Sequence, residues 1–225
     1  MKLALLGYGK MGHAVERVAI ERGHEVVCII DPLEQGARSK EQGLANADVA
    51  IEFSTPKTAV QNIRIAWKNN LPIVSGTTGW ATELPKLQDE LKNNQKALFW
   101  SSNFSIGVNL FLLLNKRLAE MLKPYDYEPS ITETHHIHKL DAPSGTALTI
   151  QKTIEPILER YIPIESIREG EVAGIHSVRY ESDADIIEFR HEAKSRRGFA
   201  LGAVLAAEFI KGKTGFFSME DLMGF

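Results

Sequence analysis

The chain has 225 residues, a formal net charge of -3, 44% apolar and 24% charged residues, which suits one large or two small globular domains and excludes a disordered chain. Its charge balance advertises neither nucleic acid nor an anionic membrane, and no apolar run nears the roughly 20 residues of a membrane span; the densest is Leu110-Phe111-Leu112-Leu113-Leu114. A single cysteine, Cys28, excludes an internal disulfide framework and a Cys-based zinc site, and the opening apolar run stops too soon, at Gly7, for a signal peptide, so a cytoplasmic location is expected.

Lys2 to Leu6 predicts a buried parallel strand. Gly7-Tyr8-Gly9-Lys10-Met11-Gly12 follows, then a helix from His13 to Arg22 with Met11, Val15, Val18 and Ala19 on one face and Gly23 as its stop. Glu25 to Ile30 is a second strand, ending at Asp31. Strand, glycine turn, helix, strand and acid is the order of a dinucleotide-binding unit. Gly7 permits a tight turn, Gly9 lets backbone approach a pyrophosphate, and Gly12 lets helix pack on strand. The helix N-terminus offers N–H groups to the phosphate. Asp31 is placed to accept from a ribose diol and to repel a 2′-phosphate, which favours NADH. Lys10 can offset that repulsion, which leaves NADPH open. The bland alternative is a glycine turn in an α/β fold that binds no nucleotide.

Asp31 to Ala47 reads as loop with at most a short helix. Asp48 to Phe53 predicts a strand, and Lys57 to Asn69 a helix with Thr55 as cap and Pro56 at its first position. Leu71 to Val74 predicts a fourth strand, running into Ser75-Gly76-Thr77-Thr78-Gly79. A helix from Glu83 to Asn93 precedes a fifth strand, Ala97 to Trp100, which ends in Ser101-Ser102-Asn103-Phe104-Ser105. Ligands of a parallel open sheet bind beyond the strands' carboxyl ends. Gly76, Thr77 and Thr78, and then Ser101 to Phe104, are therefore candidate cofactor contacts. The alternation predicts a doubly wound parallel sheet of the Rossmann type.

From Gly107 the pattern changes. Gly107 to Leu122 predicts a helix with Phe111, Leu114, Leu118, Met121 and Leu122 on one face, stopped by Pro124. Tyr127 to Thr134, Val172 to Tyr180 and Ile186 to His191 predict strands, with a turn at Glu181-Ser182-Asp183. A helix from Ser144 shows Ala147, Ile150, Ile154, Ile157 and Leu158 on one face, and Pro156 should kink or end it. Ala200 to Ile210 predicts a helix returning to the first domain, with the last dozen residues over its edge. The expected fold is thus a dinucleotide-binding domain, 1–105 and 197–225, interrupted at 106–196 by a smaller α+β domain with an open mixed sheet. Few helices are available to cover that sheet, so a homo-oligomer built through it is expected.

The densest chemical signal runs from Glu133 to Ala147 and holds His135, His136 and His138, three of the chain's seven histidines. As a metal cluster they are poorly arranged, because adjacent histidines on a strand point to opposite faces, and no cysteine or paired acid stands nearby in sequence; no metal is expected. Ser144-Gly145-Thr146 offers hydroxyls and N–H groups at a helix start, a ready carboxylate site. Lys139 adds positive charge, and the histidines titrate near neutral pH. Together they describe a pocket for a small, multiply anionic substrate that needs a proton as well as a hydride.

Glu133-x-His135-His136-x-His138-Lys139-x-Asp141-Ala142-Pro143-Ser144-Gly145-Thr146-Ala147 resembles the signature of the dihydrodipicolinate (4-hydroxy-tetrahydrodipicolinate) reductase family. Gly7 to Gly12, Asp48 to Thr55, Gly76 to Gly79, Asn103 to Asn109 and Gly215 to Leu222 resemble its other motifs. The resemblance implies a reduction on the diaminopimelate route to lysine and a tetramer formed through the second domain's sheet. It implies His135 as proton donor or acceptor and Lys139 as proton donor. His136, Gly145 and Thr146 would hold substrate carboxylates. Asp31, Gly7 to Gly12, Gly76 to Thr78 and Ser101 to Phe104 would contact the dinucleotide. The chain departs from the family in Lys10, where arginine is common, in Asp31 followed by Pro32, and in a short 31–48 connection; these leave the choice between NADH and NADPH open. The competing readings are a nicotinamide oxidoreductase of the aspartate or homoserine dehydrogenase kind and a non-catalytic dinucleotide-binding protein. The basic turn Lys194-Ser195-Arg196-Arg197 reads as solvated surface, and Cys28 and His191 as packing.

Overall fold

The computed structural model describes residues 1–31, 41–92 and 95–224. In chain order its elements are β1 (Lys2–Leu6), α1 (Lys10–Glu21), β2 (Glu25–Ile30), β3 (Val49–Glu52), α2 (Ala59–Lys68), β4 (Ile73–Ser75), α3 (Leu84–Lys92), β5 (Ala97–Trp100), α4 (Ile106–Leu122), β6 (Glu128–His135), α5 (Gly145–Leu158), β7 (Ile164–Arg168), β8 (Ile175–Glu181), β9 (Ile186–Glu192), α6 (Arg197–Ile210), β10 (Gly215–Phe217) and α7 (Met219–Met223). They divide into two compact units, Met1–Ser105 with Arg197–Phe225, and Ile106–Arg196.

The first unit is a six-stranded sheet in the order β10-β5-β4-β3-β1-β2, parallel at every pairing. From β1 the chain goes one way to β2 and the other way to β3. The carboxyl ends of β1 and β3 therefore flank the point where the order reverses, which is where open α/β sheets bind ligands. Ala4, Leu6 and Ile73 pack against Ile63, Trp67 and Leu87 from α2 and α3. Leu3 and Leu5 point the other way, as alternate strand residues must, and are also fully buried. The Trp67 indole donates to the Ala97 carbonyl (3.0 Å), tying α2 to β5. Cys28 is buried in β2, as expected, and burial pushes its thiol up.

Several boundaries move. α1 begins at Lys10, directly on its cap Gly9, rather than at His13. α2 begins at Ala59 with Thr58 as its cap; the expected cap, Thr55, instead closes a turn whose carbonyl accepts from the Thr58 and Ala59 N–H groups (both 3.0 Å). A 3₁₀ turn at Ala81–Glu83 precedes α3. Another, Glu41–Asn46, ends the 31–47 connection, of which 32–40 lies outside the described residues, as does the predicted helix end at Asn93. The last dozen residues supply β10, an edge strand beside β5, and α7.

The second unit is a four-stranded mixed sheet, β7-β6-β8-β9. β6 and β7 are parallel and joined across α5; β8 and β9 form an antiparallel hairpin. β7 was not anticipated. α5 runs two residues past Pro156 and ends in the left-handed Glu159, because a proline this close to the C-terminus forfeits one hydrogen bond of a helix already finishing. The buried face of α4 is Val108, Phe111, Asn115, Ala119 and Leu122. Leu114 and Met121, expected inward, are 52% and 61% exposed. Asn115 takes the inward place because its side-chain oxygen accepts from the buried Tyr180 hydroxyl (2.9 Å). α4 and α5 also cover the sheet's apolar face: Phe111, Ile150 and Ile154 pack with Ile131, Val178 and Phe189. The opposite face is mixed: Ser130, Thr132, Ser177, Arg179, Glu188 and Arg190 share it with Ile167, Ile175 and Ile186, and only the premise that helices are too few to cover the sheet's main apolar face fails.

Candidate active site

The turn after β1 shows what each glycine is for. Gly7 has φ of 92°, and a Cβ there would lie 2.1 Å from the Phe53 carbonyl oxygen. A Cβ on Gly12 would lie 2.6 Å from the Gly7 carbonyl oxygen. At Gly9 a Cβ would meet nothing within 4 Å among the described residues. Gly7 and Gly12 are thus demanded by the chain's own packing, while Gly9 leaves open space over the start of α1. That helix has no acidic residue in its first turn, so its positive end is uncompensated there. The arrangement fits a dinucleotide pyrophosphate. Asp31 is drawn onto the same turn, since the Tyr8 N–H donates to its Oδ2 (2.6 Å). Lys10 is exposed at the first helical position, and Met11 is half-buried beside it.

The next strand ends are organised by a residue the sequence did not single out. Glu52, fully buried at the end of β3, accepts from the Ser54 N–H (2.8 Å) and hydroxyl (2.5 Å), the Ser75 hydroxyl (2.6 Å) and the Thr77 hydroxyl (2.7 Å). Four donors satisfy a carboxylate that would otherwise be costly to bury. Thr77 therefore turns its hydroxyl inward, whereas Thr78 is exposed. Gly76 is required by Phe53, whose ring a Cβ would meet at 2.1 Å. After β5, the Ser101 hydroxyl donates to the Asn103 carbonyl (2.8 Å), and Asn103 Oδ1 accepts from the Ser105 N–H (2.9 Å). Ser102 is exposed; Phe104 is 2% exposed, with its ring against Phe53 and Phe99. Thr77 and Phe104 consequently present backbone, not side chain, to anything beyond the strand ends.

In the second unit, strand register builds the chemistry. Ile131 pairs with Ile164 and Val178, and Val178 with Phe189, which makes an apolar row. Two residues on, the same face carries Ser166, Glu133, His176 and His191 side by side. The next row holds Arg168 and His135. Glu133 has no exposed surface; one carboxylate oxygen accepts from Arg168 Nη2 (2.9 Å), and the other bonds His135 Nδ1. Burial pushes the Glu133 carboxyl up, but the hydrogen bonds from Arg168, Ser166 and His135 outweigh it, so the group titrates below the ordinary carboxylate range. Burial pushes the His135 imidazole down, against the pull of Glu133. His176 lies edge-on to His135, with ring centroids 5.1 Å apart, and burial together with His135 pushes it down to about 4.

The contacts continue to the other signature residues. The Ser144 hydroxyl caps α5 by accepting from the Ala147 N–H (3.2 Å), and it is hydrogen-bonded to His176 Nε2 (3.0 Å). Gly145 and Thr146 occupy the first two helical positions, at the positive end of α5. Arg168 Nη2 also donates to the Asp141 carbonyl (2.7 Å), and Lys139 Nζ pairs with the Asp141 carboxylate (2.8 Å). His136 is held through its backbone, N–H to the Val172 carbonyl (2.8 Å), while its buried Nδ1 has no hydrogen-bond partner among the described residues. His138 is exposed, its ring 6.1 Å from that of His136, and faces Glu171 (3.3 Å). The donors gathered by the fold are thus Glu133, His135 and His176, within 4.8 Å of one another, and not the 135/136/138 triplet. Arg168 and Ser144 already occupy the carboxylate and His176 Nε2.

Sequence reasoning missed Arg168 because it missed β7, and it gave Glu133 and His176 no role. A signal was available for Glu133: on a strand, residues 133 and 135 share a face.

A parallel sheet with an open glycine turn at its reversal point, and a proton-carrying cluster on a second sheet, define a nicotinamide-dependent oxidoreductase. Residues 1–104 match the family described as "Dihydrodipicolinate reductase, N-terminus" and residues 107–223 "Dihydrodipicolinate reductase, C-terminus". The chain belongs to the dihydrodipicolinate reductase family. It is 44% identical over 236 residues to the 4-hydroxy-tetrahydrodipicolinate reductase of Christiangramia forsetii, covering 99% of this chain and 98% of that one. It is 34% identical over 245 residues to the enzyme of the same name from Staphylococcus aureus, covering 99% and 100%. The solved structure of dipicolinate-bound dihydrodipicolinate reductase from Paenisporosarcina sp. TG-14 superposes with a TM-score of 0.84 at 20% identity, over 98% of each chain, which shows the shared fold. Family membership sets aside the dehydrogenase and the non-catalytic readings.

Proposed function

We propose that the chain reduces 4-hydroxy-tetrahydrodipicolinate (dihydrodipicolinate) to tetrahydrodipicolinate with NADH or NADPH, the reduction step of the diaminopimelate route to lysine. The observation that carries this reading is the unbroken run of contacts Ser144–His176–His135–Glu133–Arg168–Asp141–Lys139, which ties the proton-carrying groups to the start of α5. Bound nicotinamide supplies the hydride. Gly7, Gly9, Lys10, Met11 and Gly12 hold the pyrophosphate side and Asp31 the ribose. Backbone at Gly76, Thr77 and Phe104, with Thr78, Ser101, Ser102 and Asn103, lines the nicotinamide side. Gly145 and Thr146 receive a substrate carboxylate at the positive end of α5, and the Nδ1 of His136, unpartnered among the described residues, supports a second polar contact. His135 and Lys139 manage the proton. The Asp31 carboxylate supports NADH; Lys10 at the helix start supports tolerance of NADPH.

This reading carries a cytoplasmic location and a homotetramer assembled through the open face of the mixed sheet. Ile167 and Ile186, 37% and 49% exposed on that face, support such a contact.

The test is oxidation of NADH and of NADPH with substrate made in situ from pyruvate and aspartate semialdehyde. Turnover with at least one reductant is expected; a folded, cofactor-binding sample that oxidises neither overturns the reading. Lys139→Ala should lower kcat by about 10²–10⁴ and leave the cofactor dissociation constant unchanged. Near-normal turnover would remove Lys139 from proton transfer.

A further inference from the structure

A buried carboxylate and a half-buried guanidinium lie behind the residues just assigned, and neither touches substrate in that assignment. Glu133 has no exposed surface and divides its carboxylate between His135 Nδ1 and Arg168 Nη2. Arg168 reaches on to the Asp141 carbonyl (2.7 Å), and Asp141 holds Lys139. One ion pair on adjacent strands thus touches the mounts of both proton-carrying residues.

The hydrogen-bond chemistry fixes the rest. An ionised carboxylate only accepts. The His135 nitrogen that faces Glu133 must therefore carry a hydrogen. A neutral imidazole has only one, so Nε2 is left with a bare lone pair. Beside Nε2 lies Gly174, where a Cβ would come within 3.0 Å and where φ is 148°. No side chain at 174 covers that nitrogen. The charged and titratable groups around the ring are Glu133 on its own strand, Arg168 on β7, His176 on β8 and Lys139 in the following turn.

We propose that Glu133 and Arg168 are positioning residues that lock His135 as its Nδ1–H tautomer, so that Nε2 meets the substrate with its lone pair, as a hydrogen-bond acceptor, while Arg168 holds the Lys139–Asp141 turn in register with it. This rests on the reading that His135 and Lys139 manage the proton. Lys139 is then the member of the pair that arrives with a proton to give.

Nitrogen-15 NMR of the histidine-labelled full chain, without substrate, tests the tautomer directly, with His135 assigned from the signals lost in His135→Asn. The wild type should show His135 protonated at Nδ1 at neutral pH; protonation at Nε2 overturns the proposal. Glu133→Gln keeps the shape but has one acceptor oxygen for two donors. It should mix the His135 tautomers and lower kcat by about tenfold or more, with the dissociation constant for NADH unchanged. A kcat within about twofold of wild type in this variant overturns the proposal. Arg168→Lys keeps the charge, but its nitrogen ends one atom short of Nη2, the atom that meets both Glu133 and the Asp141 carbonyl. It should retain the tautomer and still lower kcat, which decides the matter even where Glu133→Gln fails to fold; unchanged kcat there overturns the Arg168 role. The tautomer is read without catalysis. Absent turnover alongside an Nδ1–H ring that Glu133→Gln disturbs would sink the reductase reading alone.

Discussion

Gly7→Ala and Gly9→Ala should separate folding from cofactor binding within one turn. At Gly7 the backbone is left-handed and the added methyl would sit 2.1 Å from the carbonyl oxygen of Phe53, the residue just after β3. Neither can relax cheaply, so the change should cost about 3 kcal/mol or more. At Gly9 φ is -74° and the methyl meets nothing within 4 Å among the described residues. The cost there should be only about 0.5–1 kcal/mol, the difference between glycine and alanine as a helix cap. That space is what a pyrophosphate would take, so Gly9→Ala should bind NADH and NADPH markedly more weakly. Denaturation curves and cofactor titrations on the two variants decide this. Equal affinity in Gly9→Ala and wild type would remove the pyrophosphate from that position.

At the scale of elements, the sequence made the alternation of the first sheet plain, because each buried strand is an apolar run stopped by a glycine, an acid or a hydroxyl turn. β7 was not legible. Its five residues, Ile164–Arg168, alternate only weakly, with no residue fully buried, as suits an edge strand. Losing β7 lost Arg168, and with it the reason for Glu133. The tilt of α4 was hidden for a different reason: apolar periodicity picks Leu114, but the core accepts Asn115 because Tyr180 pairs with it. Asn115→Leu should therefore destabilise the chain by about 1–3 kcal/mol, although it adds an apolar side chain to a buried site, because it strands the Tyr180 hydroxyl. Adding Tyr180→Phe removes the stranded group and should recover part of that loss. A double-mutant cycle by urea unfolding measures the coupling; strictly additive effects would mean that the pair does not fix the face α4 turns inward.

For the molecule as a whole, the row Glu133–His176–His191 sets how it meets acid. His176, pushed from 6.5 to about 4, stays neutral in the folded chain while the unfolded chain takes up its proton near 6.5. His135 and His191 are displaced in the same direction, by burial. Because the unfolded state binds more protons below 6.5, stability should fall as pH drops from about 6.5 towards 4. Glu133 acts in a separate, lower window. Its carboxyl titrates below 4.5, so its contribution is complete above that value and is lost as pH falls further, through the folded pKa. His176→Gln removes one titrating group and leaves a side chain able to hydrogen-bond Ser144. Relative to this variant, the wild type should lose on the order of 3 kcal/mol between pH 7 and pH 4, with most of the change above pH 4.5. Unfolding free energies of the two proteins across that range provide the measurement. A constant difference between them would show that the His176 proton is bound equally in both states, and the buried row would then not be what makes the fold acid-sensitive.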